Sequence, residues 1–107
     1  MNEDMRAVVV AGDGTVGIER TRGPEPGAGE LLVAMSAAGI CGSDVHAVQG
    51  RHPFVPRPYR PGHEVTGTVA GHGPGTATAA GTRVVVNPVL YCGVCQRCRQ
   101  GLVNLCR

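Results

Sequence analysis

Four cysteines lie within the final seventeen residues of the sequence, and their spacing is the strongest constraint on the fold. The pattern is Cys92-x2-Cys95-x2-Cys98-x7-Cys106, so two C-x2-C steps share the middle cysteine. Three thiolates from one loop can converge on one ion, and the fourth returns after a short excursion to complete a tetrahedron. Four thiolates with no open position describe a closed structural zinc site. The sequence therefore predicts a zinc lobe over 91–107.

Three other uses of these cysteines remain open from the spacing. Disulfide bonds are disfavoured because neighbours in a C-x2-C step cross-link very little chain, and because the cysteine total of five is odd. An iron–sulfur cluster shares the opening C-x2-C-x2-C run, but its closing cysteine usually follows after three residues and precedes proline. Here the gap is seven residues and Arg107 follows. A nucleic-acid zinc ribbon would separate two C-x2-C pairs by a longer insert.

The length and composition fit one domain. A chain of 107 residues with 42% apolar residues can bury one core, and 17 Gly with 8 Pro divide it into short elements. Ten scattered arginines against eight acids give a net charge of only +2, which is a poor footprint for nucleic acid. No apolar run reaches the ~18 residues of a membrane span, and the acidic start differs from a secretion signal. We therefore expect a cytoplasmic protein that binds neither nucleic acid nor membrane, and self-association stays open.

Turn residues divide the sequence into short elements that are mainly β. The predicted strands are 5–10, 15–20, 31–40, 64–71 and 82–89. The turn GDG joins the first two strands as a hairpin. The segment 41–50 predicts one short helix, with Ser43 as its N-cap and Gly50 as its stop. Four prolines make 51–62 an extended loop, and the whole order predicts a small β-barrel or sandwich.

A second set of metal-binding side chains lies at the ends of predicted elements. Cys41 follows the third strand, and His63 and Glu64 begin the fourth. The ends of elements are where converging ligands are usually placed. Adjacent extended residues point to opposite faces, so His63 and Glu64 reach one ion together only if the backbone bends there. Taken singly, the three residues also fit a buried thiol, a surface imidazole and a solvated carboxylate.

Four segments, in order, resemble the zinc-dependent medium-chain alcohol and polyol dehydrogenases. They are GICGSDVH, PGHEVTGTV, RVVVNP and CGVCQRCRQGLVNLC, and the likeness runs from about Arg6 to Cys106. The G-H-E-x2-G segment and the four-cysteine lobe are its most specific parts. The sequence departs from the family pattern at Thr82, where an aspartate is usual, and in an Ala/Thr-rich linker. Both departures lie away from the expected ligands.

The resemblance implies a fold and a second metal site. The fold would be the family's GroES-like small β-barrel with a four-cysteine structural-zinc lobe, as one domain over 1–107. Cys41 and His63 would bind a catalytic zinc. Glu64 would be a third ligand, or a close neighbour that exchanges with water.

The resemblance also implies a chemistry. Zinc would bind the substrate alcohol and lower the pKa of its hydroxyl group. Ser43 would take the hydroxyl proton and pass it towards His46, while Asp44 would orient the metal-bound histidine. The alkoxide would then give its hydride to NAD or NADP. The plain alternatives are a helix cap for Ser43, first-turn dipole compensation for Asp44 and an exposed side chain for His46.

The cofactor half of such an enzyme is not found in the sequence. No strand–G-x-G-x-x-G–helix unit is present, and GHGPG at 71–75 lies in a predicted loop with the wrong spacing. The resemblance thus implies the metal and substrate half of a dehydrogenase for a small alcohol or polyol. It would act with a Rossmann partner, in a longer chain or as a separate polypeptide. The alternatives are a stand-alone zinc-binding interaction module without turnover and, as a third class, an iron–sulfur electron carrier.

Overall fold

Two antiparallel sheets form the framework of the computed structural model, which describes residues 4–107. The turn GDG joins the first two strands as a hairpin, as predicted, and the remaining strands form the second sheet with the longest two side by side. The mainly β fold class is confirmed. The first three residues of the predicted domain 1–107 lie outside the described part of the chain. In chain order the strands are β1 (Asp4–Val10), β2 (Val16–Arg22), β3 (Leu31–Gly39), β4 (Glu64–His72) and β5 (Arg83–Val85).

The helix predicted over 41–50 is present, but its N-cap differs from the prediction. Helix α1 spans Gly42–Val48, and its N-cap is Cys41 rather than Ser43, which lies in the first turn. The Cys41 N–H donates to Asp44 Oδ2 at 2.9 Å, so a side chain of the first turn reaches back to the cap residue. Gly50 follows the helix at φ 73°, the left-handed conformation that ends many helices, as expected.

Two further differences from the predicted elements lie in the C-terminal part. The strand predicted over 82–89 is wrong in extent, because β5 ends at Val85 and only the Val86 N–H continues the pairing, to Val65 at 2.9 Å. Pro88 has no N–H to donate and cannot extend the ladder. The lobe also contains α2 (Gln96–Arg99) and a 3-10 turn (Val103–Leu105), where the sequence predicted no helix.

A β-bulge shapes the pairing of β3 with β4. The register shifts between Met35 and Ala37, which leaves Ser36 without a direct partner. On β4, a Cβ at Gly67 would overlap the Ala34 carbonyl oxygen, so the two backbones approach as closely as only glycine allows. Bulges of this kind often lie beside functional sites, where they re-aim the strand. Here the strand leads directly to Cys41.

Most of the apolar side chains remain accessible to solvent. Only Val10, Ala47 and Val69 are buried apolar residues in the described part of the chain. The accessible surface is 8058 Å² for a mass of 11.0 kDa, whereas a compact folded chain of that mass exposes about 5,600 Å². The molecule is flat, with extents of 41 × 39 × 20 Å. Its sheets therefore present large uncovered apolar faces.

Strand β3 is the most open element of the second sheet. It is an edge strand, paired only with β4 among the described residues. Its side chains are exposed on both faces from Ala34 to Gly39.

Within residues 4–107, no helix has the length and apolar character that crossing a membrane requires.

Candidate metal centres

The structure brings Cys41, His63 and Glu64 together at one end of the second sheet. One potential ligand atom from each residue lies within 4.8 Å of the others. Cys41 is the N-cap of α1, and Glu64 is the first residue of β4. Gly62, directly before His63, has a φ of 121°, a conformation that glycine adopts much more readily than other residues. We call these three residues the mixed cluster, since they offer a sulfur, a nitrogen and an oxygen.

A glycine on the neighbouring strand makes room for the carboxylate of this cluster. Gly39 is the register partner of Glu64, and a Cβ on Gly39 would lie 2.5 Å from Glu64 Oε2. The carboxylate therefore lies over the bare backbone of β3, two residues before Cys41. A side chain at this position would push the carboxylate away.

Electrostatics in the mixed cluster favour the metal-binding form of the thiol. The hydroxyl and the N–H of Ser43, followed by the ring of His63, hydrogen-bond to the Cys41 sulfur and lower the pKa of that thiol. The same bond with Cys41 raises the pKa of His63, and the charge of Asp44 adds to the effect. Both shifts favour the charged forms, a thiolate at Cys41 and an imidazolium at His63. A divalent cation would replace the imidazolium proton, because metal ligation requires the thiolate and a neutral imidazole.

Asp44 contacts both Cys41 and His63 of the mixed cluster. Its Oδ2 accepts the Cys41 N–H at 2.9 Å, and its Oδ1 lies 3.5 Å from His63 Nδ1. A carboxylate on one ring nitrogen leaves the other nitrogen free to bind a metal, an arrangement common around metal-bound histidines. The Asp44 side chain is 14% exposed, so little water screens these contacts.

A cavity of about 460 Å³ opens beside the mixed cluster. Ser43 and His63 line it, whereas His46 is exposed one turn further along α1. Across residues 4–107 no hydrogen bond joins Ser43 to His46, so their relay stays a prediction. Sequence reasoning assigned no functional role to His52 and Tyr59, which also line the cavity. Their only signal is a position in the proline-rich loop 51–62, here called the proline loop, between Cys41 and His63.

The four lobe cysteines form a separate cluster with tetrahedral dimensions. Their sulfurs all lie within 4.8 Å of one another, and Cys92 Sγ is 4.0 Å from Cys98 Sγ. Zinc–sulfur bonds of about 2.3 Å in a tetrahedron place the sulfurs about 3.8 Å apart. Backbone N–H groups also point at the sulfurs: that of Cys95 donates to Cys92 Sγ at 3.2 Å, and that of Cys92 donates to Cys106 Sγ at 3.3 Å. The donor set fits a closed zinc site.

The lobe sulfurs differ sharply in acidity when no metal is bound. The backbone N–H of Cys98 is the main cause that lowers the pKa of Cys95 to about 6. Burial raises the pKa of Cys98 to about 12. The metal-free cluster therefore retains at least one proton at neutral pH. A divalent cation would displace it, since four thiolates need a positive charge among them.

The comparisons with known proteins identify the family of the chain. Residues 27–107 match the family model described as the alcohol dehydrogenase GroES-like domain. A probable zinc-binding alcohol dehydrogenase of Mycobacterium tuberculosis is 45% identical over 96 residues, which are 88% of this chain and 25% of that relative.

Two solved structures show the same fold. A putative zinc-binding dehydrogenase from Sinorhizobium meliloti, bound to NADP, superposes with a TM-score of 0.88 at 39% identity, covering 98% of this chain and 31% of that one. A cobalt- and zinc-bound thermostable alcohol dehydrogenase from Pyrobaculum aerophilum gives a TM-score of 0.86 at 35% identity, covering 98% and 33%. The chain thus spans between a quarter and a third of the length of these proteins.

Proposed function

The chain belongs to the alcohol dehydrogenase GroES-like domain family, and we propose on that premise that it is the metal- and substrate-binding part of a zinc-dependent alcohol or polyol dehydrogenase. One observation carries the proposal: Cys41, His63 and Glu64 converge within 4.8 Å beside a cavity. A module that needs zinc only for its fold already has the lobe for that purpose. A second cluster with one member, His63, in the wall of an open cavity is what a catalytic site requires.

The two clusters take different roles in this proposal. The lobe holds a structural zinc, because four sulfurs leave no position for a substrate. In the mixed cluster, Cys41 and His63 hold the catalytic zinc, and Glu64 is a third ligand or an exchangeable neighbour. Zinc in such an open site supplies Lewis acidity, which makes an alcohol hydroxyl group easier to deprotonate.

The residues around the mixed cluster would handle the proton. Ser43 lines the cavity, and its hydroxyl also contacts the Cys41 sulfur, so it lies where a substrate hydroxyl would approach. It would accept the substrate proton in the cavity. His46 is exposed one turn further along α1 and would release that proton to water. Asp44 would keep the His63 ring in place through the contact with Nδ1.

The redox step in this proposal belongs to NAD or NADP on a Rossmann partner, from a longer chain or a separate polypeptide. The uncovered surface supports the need for a partner. The chain exposes roughly 2,400 Å² more than a compact monomer of its mass. A standard protein interface covers only about 800 Å² on each side, so a large partner is required to cover it.

Metal counting and cofactor binding test the proposal together. Native mass spectrometry of the reduced 107-residue chain should show two zinc ions, and His63→Gln should lose one of them. His72→Gln is the matched control, because His72 contacts the Gly73 carbonyl outside both clusters. Calorimetry with NADH should detect no binding until a cofactor domain is added. If the wild type binds only one zinc ion and His63→Gln still binds that ion, the stand-alone interaction module is favoured instead.

A further inference from the structure

The proline loop contacts both helix α1 and the β1–β2 hairpin through the side chain of Arg57. Arg57 Nη1 donates to the Val48 carbonyl at 3.0 Å, at the C-terminal end of α1. The guanidinium also lies against two glycines: a Cβ on Gly50 would be 3.0 Å from Nη2, and a Cβ on Gly14 would overlap Nη1. Gly14 belongs to the hairpin turn, and Gly50 follows α1. One side chain therefore joins the end of the helix to the turn of the hairpin.

The same loop is fastened to the hairpin at two further points. Tyr59 exchanges two backbone hydrogen bonds with Val10, of 2.9 and 3.0 Å, and Val10 is fully buried. Arg60 forms an ion pair with Glu19 on β2. We call residues 57–60 the clasp, because they join α1, β1 and β2. The clasp is thus a firmly held stretch within an otherwise irregular loop.

The clasp lies between the two segments that carry the first two ligands of the mixed cluster. Helix α1 begins directly after Cys41, and the clasp ends three residues before His63. A helix of this length spans only about 10 Å, so a shift at its C-terminal end moves its N-cap as well. So short a helix is also unstable by itself and depends on its contacts for orientation.

We propose that Arg57 is a positioning residue that fixes the separation of Cys41 and His63. The inference rests on the proposed metal site in the mixed cluster. Within residues 4–107 the Arg57 guanidinium hydrogen-bonds to the far end of α1 and to none of the three ligands. Its effect on the metal passes through the orientation of the helix. A planar guanidinium group suits this position, because it reaches the Val48 carbonyl while it lies against Gly14 and Gly50.

Cobalt binding to the reduced 107-residue chain tests the inference. Cobalt titration against a competing chelator, followed by absorption, gives an affinity for each cluster, because the lobe and the mixed cluster have different numbers of sulfurs. Arg57→Gln should weaken cobalt binding at the mixed cluster about tenfold, since a charged hydrogen bond is lost. Binding at the lobe should not change. Arg57→Lys should recover part of the loss, because an ammonium group still reaches the Val48 carbonyl.

Arg51→Gln is the matched control, since Arg51 is an exposed arginine of the same loop. If Arg57→Gln fails to fold, Gly14→Ala replaces it, because the new Cβ would press on the guanidinium. Gly29→Ala is its control, since Gly29 has a similarly positive φ of 76° and nothing within 4 Å of its Cβ position. Mixed-cluster affinity in Arg57→Gln equal to that of Arg51→Gln would overturn the inference and leave the proposed function standing.

If the mixed cluster binds no metal, hydrogen exchange of the α1 amides tests the positioning role of Arg57 separately from the proposed metal site. Wild-type protein that binds cobalt only at the lobe would contradict the proposed metal site. In that case, faster exchange of the α1 amides in Arg57→Gln than in Arg51→Gln would support the claim that Arg57 holds α1 in place. Equal exchange in the two variants would overturn it.

Discussion

Replacing Gly39 with alanine tests whether Glu64 binds the metal. A Cβ on Gly39 would lie 2.5 Å from Glu64 Oε2. An ordinary contact between carbon and oxygen is about 3.3–3.6 Å, so the carboxylate would have to move by about 1 Å. A metal–ligand distance tolerates only about 0.2 Å. The substitution should therefore remove Glu64 from the ligand set while Cys41 and His63 stay in place.

The expected loss of affinity is large enough to measure easily. Changes in residues that only support metal ligands typically cost about 10–100-fold in affinity, so displacement of a ligand should cost at least tenfold. Cobalt titration of the reduced chain against a chelator of known affinity measures this loss at the mixed cluster. Gly42→Ala is the matched control, because Gly42 flanks Cys41 on the other side and a Cβ there meets nothing within 4 Å.

Three results would refute this reasoning. If Gly39→Ala and Glu64→Gln both bind cobalt as the wild type does, Glu64 is not a ligand. If Glu64→Gln weakens binding but Gly39→Ala does not, the carboxylate reaches the metal from a different rotamer. Equal weakening by Gly42→Ala would assign the effect to the backbone around Cys41 rather than to the carboxylate.

Two further predictions concern the sheet and the lobe. Gly67→Ala should lower the free energy of unfolding by about 2 kcal/mol in urea denaturation, because its Cβ would overlap the Ala34 carbonyl and break the pairing there. Gly17→Ala, with open space around its Cβ, should lose much less, and equal losses would contradict the steric argument. In the metal-free chain, iodoacetamide should alkylate Cys95 with a midpoint near pH 6, because the thiolate forms above that pKa, and Cys98 should react last. Saturating zinc should protect both thiols, and equal midpoints without zinc would contradict the assigned acidities.

Local sequence patterns predicted those parts of the fold that local forces determine. The turn GDG fixes the hairpin through a side-chain bond from the Thr15 N–H to Asp13 Oδ1 at 2.9 Å. The lobe cysteines are close in sequence, so their convergence follows from their spacing. The N-cap prediction failed because Ser43 is a good capping residue in general, whereas here Asp44 bonds to the Cys41 N–H and moves the helix start.

The mixed cluster depends on contacts that no local pattern encodes. Cys41 and His63 are separated by α1 and the proline-rich loop 51–62, and the pairing of Gly39 with Glu64 brings the end of β3 and the start of β4 together. Family resemblance named these residues, but neither it nor the spacing showed that Gly62 adopts a positive φ directly before His63. Arg57 had no signal at all, because an arginine in a proline-rich loop is most often a solvated side chain.

The open edge of β3 makes the second sheet a site for self-association. Its nine residues carry no charge and no proline, the devices that usually keep an exposed strand from pairing with other chains. At high concentration, two copies of the chain should therefore pair edge to edge through β3. The strand that leads to Cys41 is thus also poorly protected against aggregation.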